Sequence, residues 1–203
     1  MISEKAVATG LVSVAALVAG SNAVAAQDWS GFYAGLSYGK TSGTSPIQPY
    51  VYDEGYQANG SAAGAFAGFR WNASDRVVMG LELALQGGVN VDESAGELGN
   101  ADPYTLRNLT DIKLSVGMPV GKALVYGFGG VSSAALDTTN DDYSGASGAS
   151  GVNYGLGVDY MVTDKMTVGA EFISRNMNGY TSGGNPDDIS NVNSFSLRAS
   201  FKF

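Results

Sequence analysis

The sequence predicts an all-β fold, an eight-stranded antiparallel up-and-down barrel. Apolar residues alternate with small or polar residues in eight segments of about ten residues, and no segment shows a comparable helical repeat. The connections between these segments are alternately short and long, as expected for strands that run up and down around a barrel. After residue 26 there is no run of 18 apolar residues, so we expect no helical membrane span there.

Residues 1–26 form the first element, a predicted export signal. Lys5 lies in a short polar start, a mostly apolar stretch runs from Ala6 to Ala19, and small residues follow up to Ala26. This order is typical of a secretory signal peptide. The apolar stretch is shorter than the ~20 residues of a transmembrane helix. We place the cleavage between Ala26 and Gln27, with a cut before Ala26 as the alternative, so that residues 27–203 form the mature domain.

The first four predicted strands each have one apolar face. Their apolar positions are Phe32, Ala34, Leu36 and Tyr38; Ala65, Ala67, Phe69 and Trp71; Val77, Met79, Leu81, Leu83 and Leu85; and Ile112, Leu114, Val116 and Met118. Glycine, serine and charged residues fill most of the positions between them, which is the period-two pattern of half-buried strands.

The last four strands follow the same pattern. Their apolar positions are Leu124, Tyr126 and Phe128; Val152, Tyr154, Leu156, Val158, Tyr160 and Val162; Met166, Val168, Ala170 and Phe172; and Phe195, Leu197, Ala199, Phe201 and Phe203. In the fifth strand this assignment places Gly127 and Gly129 on the small-residue face.

The lengths of the connections predict which strand ends lie together. The short ones are Asn72 to Asp75, Pro119 to Lys122 and Thr163 to Lys165, and the long ones run from about Thr41 to Gly60, Gly87 to Tyr104, Leu136 to Ser150 and Met177 to Asn191. This asymmetry is typical of a transmembrane β-barrel with short periplasmic turns and long outer loops.

The small-residue face is predicted to line the lumen. The interior of an eight-stranded barrel is just wide enough for side chains to fill it, and the apolar face would then contact lipid. Aromatic residues near strand ends fit the girdles of such barrels; they are Tyr38, Phe69, Trp71, Tyr126, Tyr160, Phe201 and Phe203. A soluble sandwich or lipocalin-like barrel also alternates, and it is kept as an alternative.

Eight charged residues share the small-residue face and are the candidate site. They are Arg70, Glu82, Asp111, Lys113, Asp159, Glu171, Arg175 and Arg198. Buried charges persist when they are paired and hydrogen-bonded, so we predict a neutral network across the lumen. Arg70–Glu82 and Glu171–Arg198 are the expected pairs between neighbouring strands. The functional alternative is a set of ion-conducting gates.

Composition argues against several classes of function. The chain has no histidine and no cysteine, a net charge of −8 and a pI near 4.3. These values disfavour the common zinc sites, Ser-His-Asp or Cys-His catalysis and nucleic-acid binding. We therefore expect a protein that is not an enzyme and that has no cofactor or metal. Most acidic residues lie in the long loops, but none of these loops has the calcium-binding D-x-[DN]-x-[DN]-G spacing, and a solvated surface is the favoured interpretation.

Several motifs resemble the small porin-like outer-membrane β-barrel proteins of Gram-negative bacteria. They are Trp29-Ser30-Gly31-Phe32-Tyr33-Ala34-Gly35, Gly68-Phe69-Arg70-Trp71, Gly80-Leu81-Glu82, Ala170-Glu171-Phe172 and the segment from Phe195 to the terminal Phe203. The resemblance is especially to the alphaproteobacterial surface-antigen group, and the larger OmpA/OmpX-like superfamily has the same architecture. The turn at 72–75 departs from that pattern because it lacks the usual glutamine.

The resemblance implies a location in the cell envelope and a set of partners. Phe195, Leu197, Phe201 and Phe203 are similar to the signal recognised by the outer-membrane barrel assembly machinery. Other implied partners are periplasmic chaperones, outer-membrane lipid and lipopolysaccharide, and host or surface ligands at the loops.

Three functions are compatible with these expectations. The favoured one is a structural or surface-interaction barrel with a lumen closed by its inward charges. The second is a narrow porin-like channel for ions or very small solutes. The third is a soluble periplasmic binding barrel. The number of strands favours the first, because open aqueous channels are typical of 16 to 18 strands.

Overall fold

A computed structural model describes residues 27–45, 56–87, 89–90, 104–138, 147–180, 186–187 and 191–203. Within them lie eight long strands: β1 Gly31–Ser45, β2 Tyr56–Ser74, β3 Val77–Gln86, β4 Tyr104–Val120, β5 Ala123–Thr138, β6 Ser147–Met161, β7 Met166–Tyr180 and β8 Val192–Lys202. Two short pairs, Val89–Asn90 and Pro186–Asp187, extend the ladders of β4 and β7. No helix in the described part of the chain is long and apolar enough to cross a membrane.

The eight strands form one closed antiparallel barrel, which confirms the predicted fold. Each strand pairs with the next along the chain, and β1 pairs with β8 from Tyr33 opposite Lys202 to Gly43 opposite Val192. At one end Gly121 has φ +59°, a left-handed conformation that suits glycine in a two-residue hairpin turn. We call this end the turn end and the opposite one the loop end.

The outer surface of the barrel is apolar. Leu36, Leu114 and Leu197 expose 69 %, 51 % and 63 % of their surface, and similar side chains surround the barrel. Soluble monomers rarely expose continuous apolar patches of this extent. This surface argues against the soluble binding barrel. The aromatic residues predicted to face lipid lie on this surface, with one exception, Tyr126.

The orientation predicted for β5 is wrong. Leu124, Tyr126 and Phe128 are buried inside the barrel, whereas Gly127 and Gly129 face outward. The only charged residue of β5 is at position 137, near its loop end. Over most of β5 the sequence therefore contains no charge that marks the inward face, and alternation alone predicts that the large residues face lipid.

The strands also extend further than predicted at the loop end. β1 continues to Ser45 and β2 begins at Tyr56, so this hairpin covers part of the segment assigned to a loop. β5 and β6 likewise reach Thr138 and Ser147. The ladder of backbone hydrogen bonds continues here through polar residues, whose alternation is too weak to mark a strand in the sequence.

Two predictions concern residues outside the described ranges. The export signal of residues 1–26 is one, together with its cleavage after Ala26. The other is the acidic surface of the long loops, most of whose carboxylates lie in segments that the structure does not describe.

Candidate functional site: the barrel lumen

The N-terminal strap, residues 27–30, closes the turn end of the lumen. Trp29 is 2 % exposed, and its ring centroid lies 5.7 Å from Cζ of Arg70. Lys202 Nζ donates a hydrogen bond of 2.7 Å to the backbone carbonyl of Asp28, which ties the strap to β8. Trp29 belongs to a turn-end apolar cluster with Val78, Leu124, Tyr126, Phe128, Met161 and Ile173.

Arg70 pairs across the lumen with Asp159. Its Nη2 lies 2.5 Å from Oδ2 of Asp159, and both side chains are buried. Its Cζ is also 4.4 Å from the ring centroid of Tyr33, a cation–π contact. The predicted pair of Arg70 with Glu82 is wrong. Tyr33 contacts both residues, stacking under Arg70 and donating a 2.8 Å hydrogen bond to Glu82 Oε2.

Four charged side chains form a closed ring in the middle of the lumen, which we call the lumen quartet: Glu82, Lys113, Glu171 and Arg198. Lys113 Nζ lies 2.7 Å from Oε1 of each glutamate, and Arg198 contacts the Oε2 atoms of both. Positive and negative groups alternate around the ring. It includes the predicted Glu171–Arg198 pair, and it connects β3 and β4 to β7 and β8.

Aromatic rings surround the quartet. Arg198 Cζ lies 3.9 Å from the ring centroid of Phe66, and Lys113 Nζ lies 5.0 Å from that of Phe128. The Tyr126 hydroxyl donates a hydrogen bond of 3.2 Å to Oε2 of Glu171. The contacts with Phe66 and Phe128 stabilise the two desolvated cations, because the ring faces are electron-rich.

Sequence reasoning did not identify these inward rings. Phe66 is separated from the inward Arg70 by an even number of positions along β2, so period-two alternation places both side chains on the inward face. This spacing could have identified Phe66 as a lumen residue. The space for other rings comes from glycines on β6. A Cβ atom at Gly155 would overlap Phe128, and one at Gly157 would overlap Tyr126.

A second polar layer lies nearer the loop end. Arg175 makes a bidentate pair with Asp111, with Nε–Oδ1 and Nη2–Oδ2 distances of 2.8 and 2.6 Å. Its Nη1 and Nη2 also donate to Ser194 Oγ and Gln86 Oε1. Ser132 donates a 2.6 Å hydrogen bond to Asp111. The bidentate geometry and these additional hydrogen bonds satisfy both buried charges.

An apolar layer, the loop-end collar, lies beyond this pair. Six strands contribute one buried residue each: Ala62, Leu109, Ala134, Ala149, Met177 and Val192. Met177 is fully buried and Leu109 is 1 % exposed. An apolar constriction of this kind disfavours water and ions in a narrow pore.

The eight predicted charged residues all lie inside the barrel, where four bases neutralise four acids. Between the quartet and the Arg175–Asp111 pair there is a cavity of about 20 Å³. That volume holds about one water molecule. The described lumen is thus packed and charge-neutral, and each of its carboxylates is paired with a base.

Comparison with known proteins identifies the family. The family model of the outer membrane protein beta-barrel domain matches residues 11–203. No protein among those curated for function matches the chain.

Solved structures show the same architecture. Outer membrane protein OprG from Pseudomonas aeruginosa is 15 % identical, with a TM-score of 0.63 and coverage of 89 % of this chain and 99 % of that one. Neisserial surface protein A (NspA) is 16 % identical, with a TM-score of 0.56 and coverage of 86 % and 98 %. The attachment invasion locus protein Ail of Yersinia pestis, in complex with the heparin analogue sucrose octasulfate, is 13 % identical, with a TM-score of 0.50 and coverage of 85 % and 99 %. Likeness at these identities establishes the fold alone.

Proposed function

Because this chain belongs to the outer-membrane β-barrel domain family and lies in the outer membrane, we propose that its lumen is closed to solutes and that it functions through interactions at its loop end. The turn end then faces the periplasm. The packed lumen is the observation that carries the proposal. A path through it would have to cross the loop-end collar, the Arg175–Asp111 pair, the lumen quartet and Trp29.

The energetics of the quartet support a closed resting state. An ion in the lumen would have to displace a partner from one of these pairs, and a buried charge that loses its partner costs about 3–5 kcal/mol. With a cavity that holds about one water, the lumen offers little hydration in return. The role that we propose is structural and surface-directed rather than enzymatic.

Two further assignments form part of this proposal. Residues 1–26 would direct export and be removed after Ala26. Phe195, Leu197, Phe201 and Phe203 would present the assembly signal, and their side chains are all exposed on the outer surface of β8 and at its end. The assembly machinery and periplasmic chaperones would then act on the unfolded chain.

Single-channel recording tests the proposal. The mature chain is refolded in detergent and inserted into a planar bilayer, and folding is verified by different gel mobilities of boiled and unboiled samples. We expect no discrete current steps. Steps that change in size when Glu82 or Lys113 is replaced by Gln would contradict the proposal and establish the narrow channel instead.

A further inference from the structure

A small cavity of about 20 Å³ lies under the N-terminal strap, and we call it the turn-end cavity. That volume holds about one water molecule or one ion of similar size. Its polar lining comes from the strap, β2, β7, β8 and the turn before β7, and it includes Trp29, Arg70, Lys165, Thr167, Ser200 and Lys202. The turn-end cavity is separate from the one beside the lumen quartet.

The indole N–H of Trp29 is buried without an acceptor. Trp29 is 2 % exposed, and among the described residues its Nε1 has no hydrogen-bond partner. Buried donors are nearly always paired, because an unpaired donor has lost its hydrogen bonds to water and gained nothing in return. Since the Trp29 side chain lines the turn-end cavity, an acceptor held in this cavity would satisfy the indole N–H.

Other groups of the lining also have donors available. One hydrogen bond is described for the Arg70 guanidinium, from Nη2 to Oδ2 of Asp159, although this group carries five N–H donors. The hydroxyls of Thr167 and Ser200 lie 2.5 Å apart. Only one of these two hydroxyls can donate to the other, so the second can donate to an acceptor in the cavity.

The acids near the cavity are paired with bases or lie in solvent. Asp159 is paired with Arg70, and Oδ2 of Asp28 lies 3.7 Å from Lys202 Nζ. Asp164, the acid in the lining, is exposed in the turn before β7. These three acids balance the three bases of the lining, so the cavity is distinguished by its surplus of donors rather than by net charge.

We propose that the turn-end cavity binds one small monovalent anion, which by size is chloride. A water molecule would need acceptors for its own hydrogens, whereas an anion only accepts, and hydrogen bonds to an ionised acceptor are about twice as strong as neutral ones. The Trp29 N–H, the Arg70 guanidinium and the Thr167–Ser200 hydroxyl pair donate to the ion. It thereby ties the strap to β2, β7 and β8. Phosphate and sulfate are too large for this volume.

Bromide is the crystallographic probe for this site, because it has the charge of chloride and scatters X-rays anomalously. Crystals of the folded mature chain are grown with sodium bromide in place of sodium chloride. We expect an anomalous peak in the turn-end cavity, within hydrogen-bond distance of Trp29 Nε1. Trp29→Phe, which keeps an aromatic ring but removes the N–H, should lose the peak. Trp71→Phe is the matched control, since Trp71 lies on the outer surface of β2, and it should retain the peak.

Trp29 fluorescence measures chloride binding in solution. In the Trp71→Phe protein, sodium chloride replaces sodium gluconate at constant ionic strength, and we expect a saturable change in emission. Thr167→Val removes one hydroxyl of the hydrogen-bonded pair and should raise the half-saturating chloride concentration about tenfold, as expected for the loss of a hydrogen bond to a charged group. Lys122→Ala, which removes an exposed cation outside the cavity, should leave that concentration unchanged.

Two results would overturn the proposal. One is a water molecule, without anomalous signal, bonded to Trp29 Nε1 in the wild-type bromide crystals. The other is a bromide peak in the crystal with the same emission in chloride and in gluconate, which would mean an adventitious ion only. Neither result depends on the Trp29→Phe or Thr167→Val variant, so both decide the question even if these variants do not fold.

Discussion

Single residues in the lumen are stabilised by partners on the opposite wall of the barrel. Arg70 on β2 reaches Asp159 on β6, and Arg175 on β7 reaches Asp111 on β4. Each of these charges is removed from water, so the stability of the folded barrel depends on the presence of its partner. Substitutions that remove one partner should therefore be more costly than the removal of the whole pair.

Arg70→Ala tests this at the turn end. The variant leaves Asp159 buried without its base, and we expect it to lower the free energy of unfolding by about 3–5 kcal/mol. Urea titration of the folded protein in lipid vesicles, followed by gel mobility, measures the change. The double variant that also carries Asp159→Ala should recover part of the loss, because no charge is then left unpaired.

Arg76→Ala is the matched control for that experiment. Arg76 is exposed in the turn after β2, and substitutions at such sites usually change stability by less than about 0.5 kcal/mol. If Arg70→Ala is as stable as Arg76→Ala, the pairing of Arg70 with Asp159 does not stabilise the barrel.

Gly157, an inward glycine of β6, is the basis of a second prediction. A methyl group at Gly157 would overlap the Tyr126 ring, whereas the nearest atom to a methyl group at Gly127 is 3.7 Å away. We expect Gly157→Ala to cost about 1–3 kcal/mol through overpacking and Gly127→Ala to be nearly neutral. The same urea titration compares the two variants. Equal stabilities would mean that Tyr126 does not occupy the space beside Gly157.

At the scale of elements, the N-terminal strap behaves as a cover for the turn end. Asp28 accepts hydrogen bonds from the backbone and hydroxyl of Ser30 and from Asn72 Nδ2. The Ser30 hydrogen bonds, with the charge of Lys202, hold the pKa of Asp28 below its ordinary value of 3.8. The ionised carboxylate therefore favours the closed strap.

Acidification should open this strap. When folding lowers the pKa of a carboxyl group, the ionised group stabilises the folded state at pH values above its ordinary pKa. This stabilisation is lost as the pH falls through the lowered pKa. The other charged residues that line the space around Trp29 are Arg70, Asp164, Lys165 and Lys202.

Trp29 fluorescence measures the opening. The chain has two tryptophans, so Trp71→Phe leaves Trp29 as the sole reporter. We expect a change in its emission below about pH 3.8 that is absent in the variant that also carries Asp28→Asn. The same transition in both proteins would show that Asp28 does not hold the strap closed.

At the scale of the whole molecule, the charged residues outside the lumen are distributed unequally between the two ends of the barrel. Eleven of the 19 acidic residues lie in or beside the loop-end connections: Asp53, Glu54, Asp92, Glu93, Glu97, Asp102, Asp137, Asp141, Asp142, Asp187 and Asp188. Four of the 11 bases pair inside the lumen, and Arg76, Lys122, Lys165 and Lys202 lie at the turn end. The outward end therefore carries a negative field, which attracts cations and repels polyanions.

This field predicts the charge of loop-end ligands. Although Ail has been solved with a heparin analogue, we expect sucrose octasulfate not to bind this chain. An oligolysine peptide should bind it, and more weakly as salt rises. Titration calorimetry with both probes measures this, and Asp141→Asn with Asp142→Asn should weaken the oligolysine complex. Tight binding of the sulfated probe would contradict the electrostatic argument.

Several features of this protein could be predicted from its sequence alone. Period-two alternation and alternating connection lengths determine an eight-stranded barrel, because both are local consequences of strand geometry and of up-and-down topology. The same alternation assigns charged residues such as Arg70 and Glu82 to the inner face, since lipid cannot solvate them.

Only the tertiary structure decided which residues meet inside the barrel. Alternation determines the face on which a side chain lies, but a partner on the opposite wall depends on strand stagger and barrel closure, which no single strand encodes. For that reason Arg70 pairs with Asp159 rather than with Glu82 on the adjacent strand. The inward face of β5 was likewise decided by packing, because Tyr126 occupies space that Gly157 leaves on the neighbouring strand.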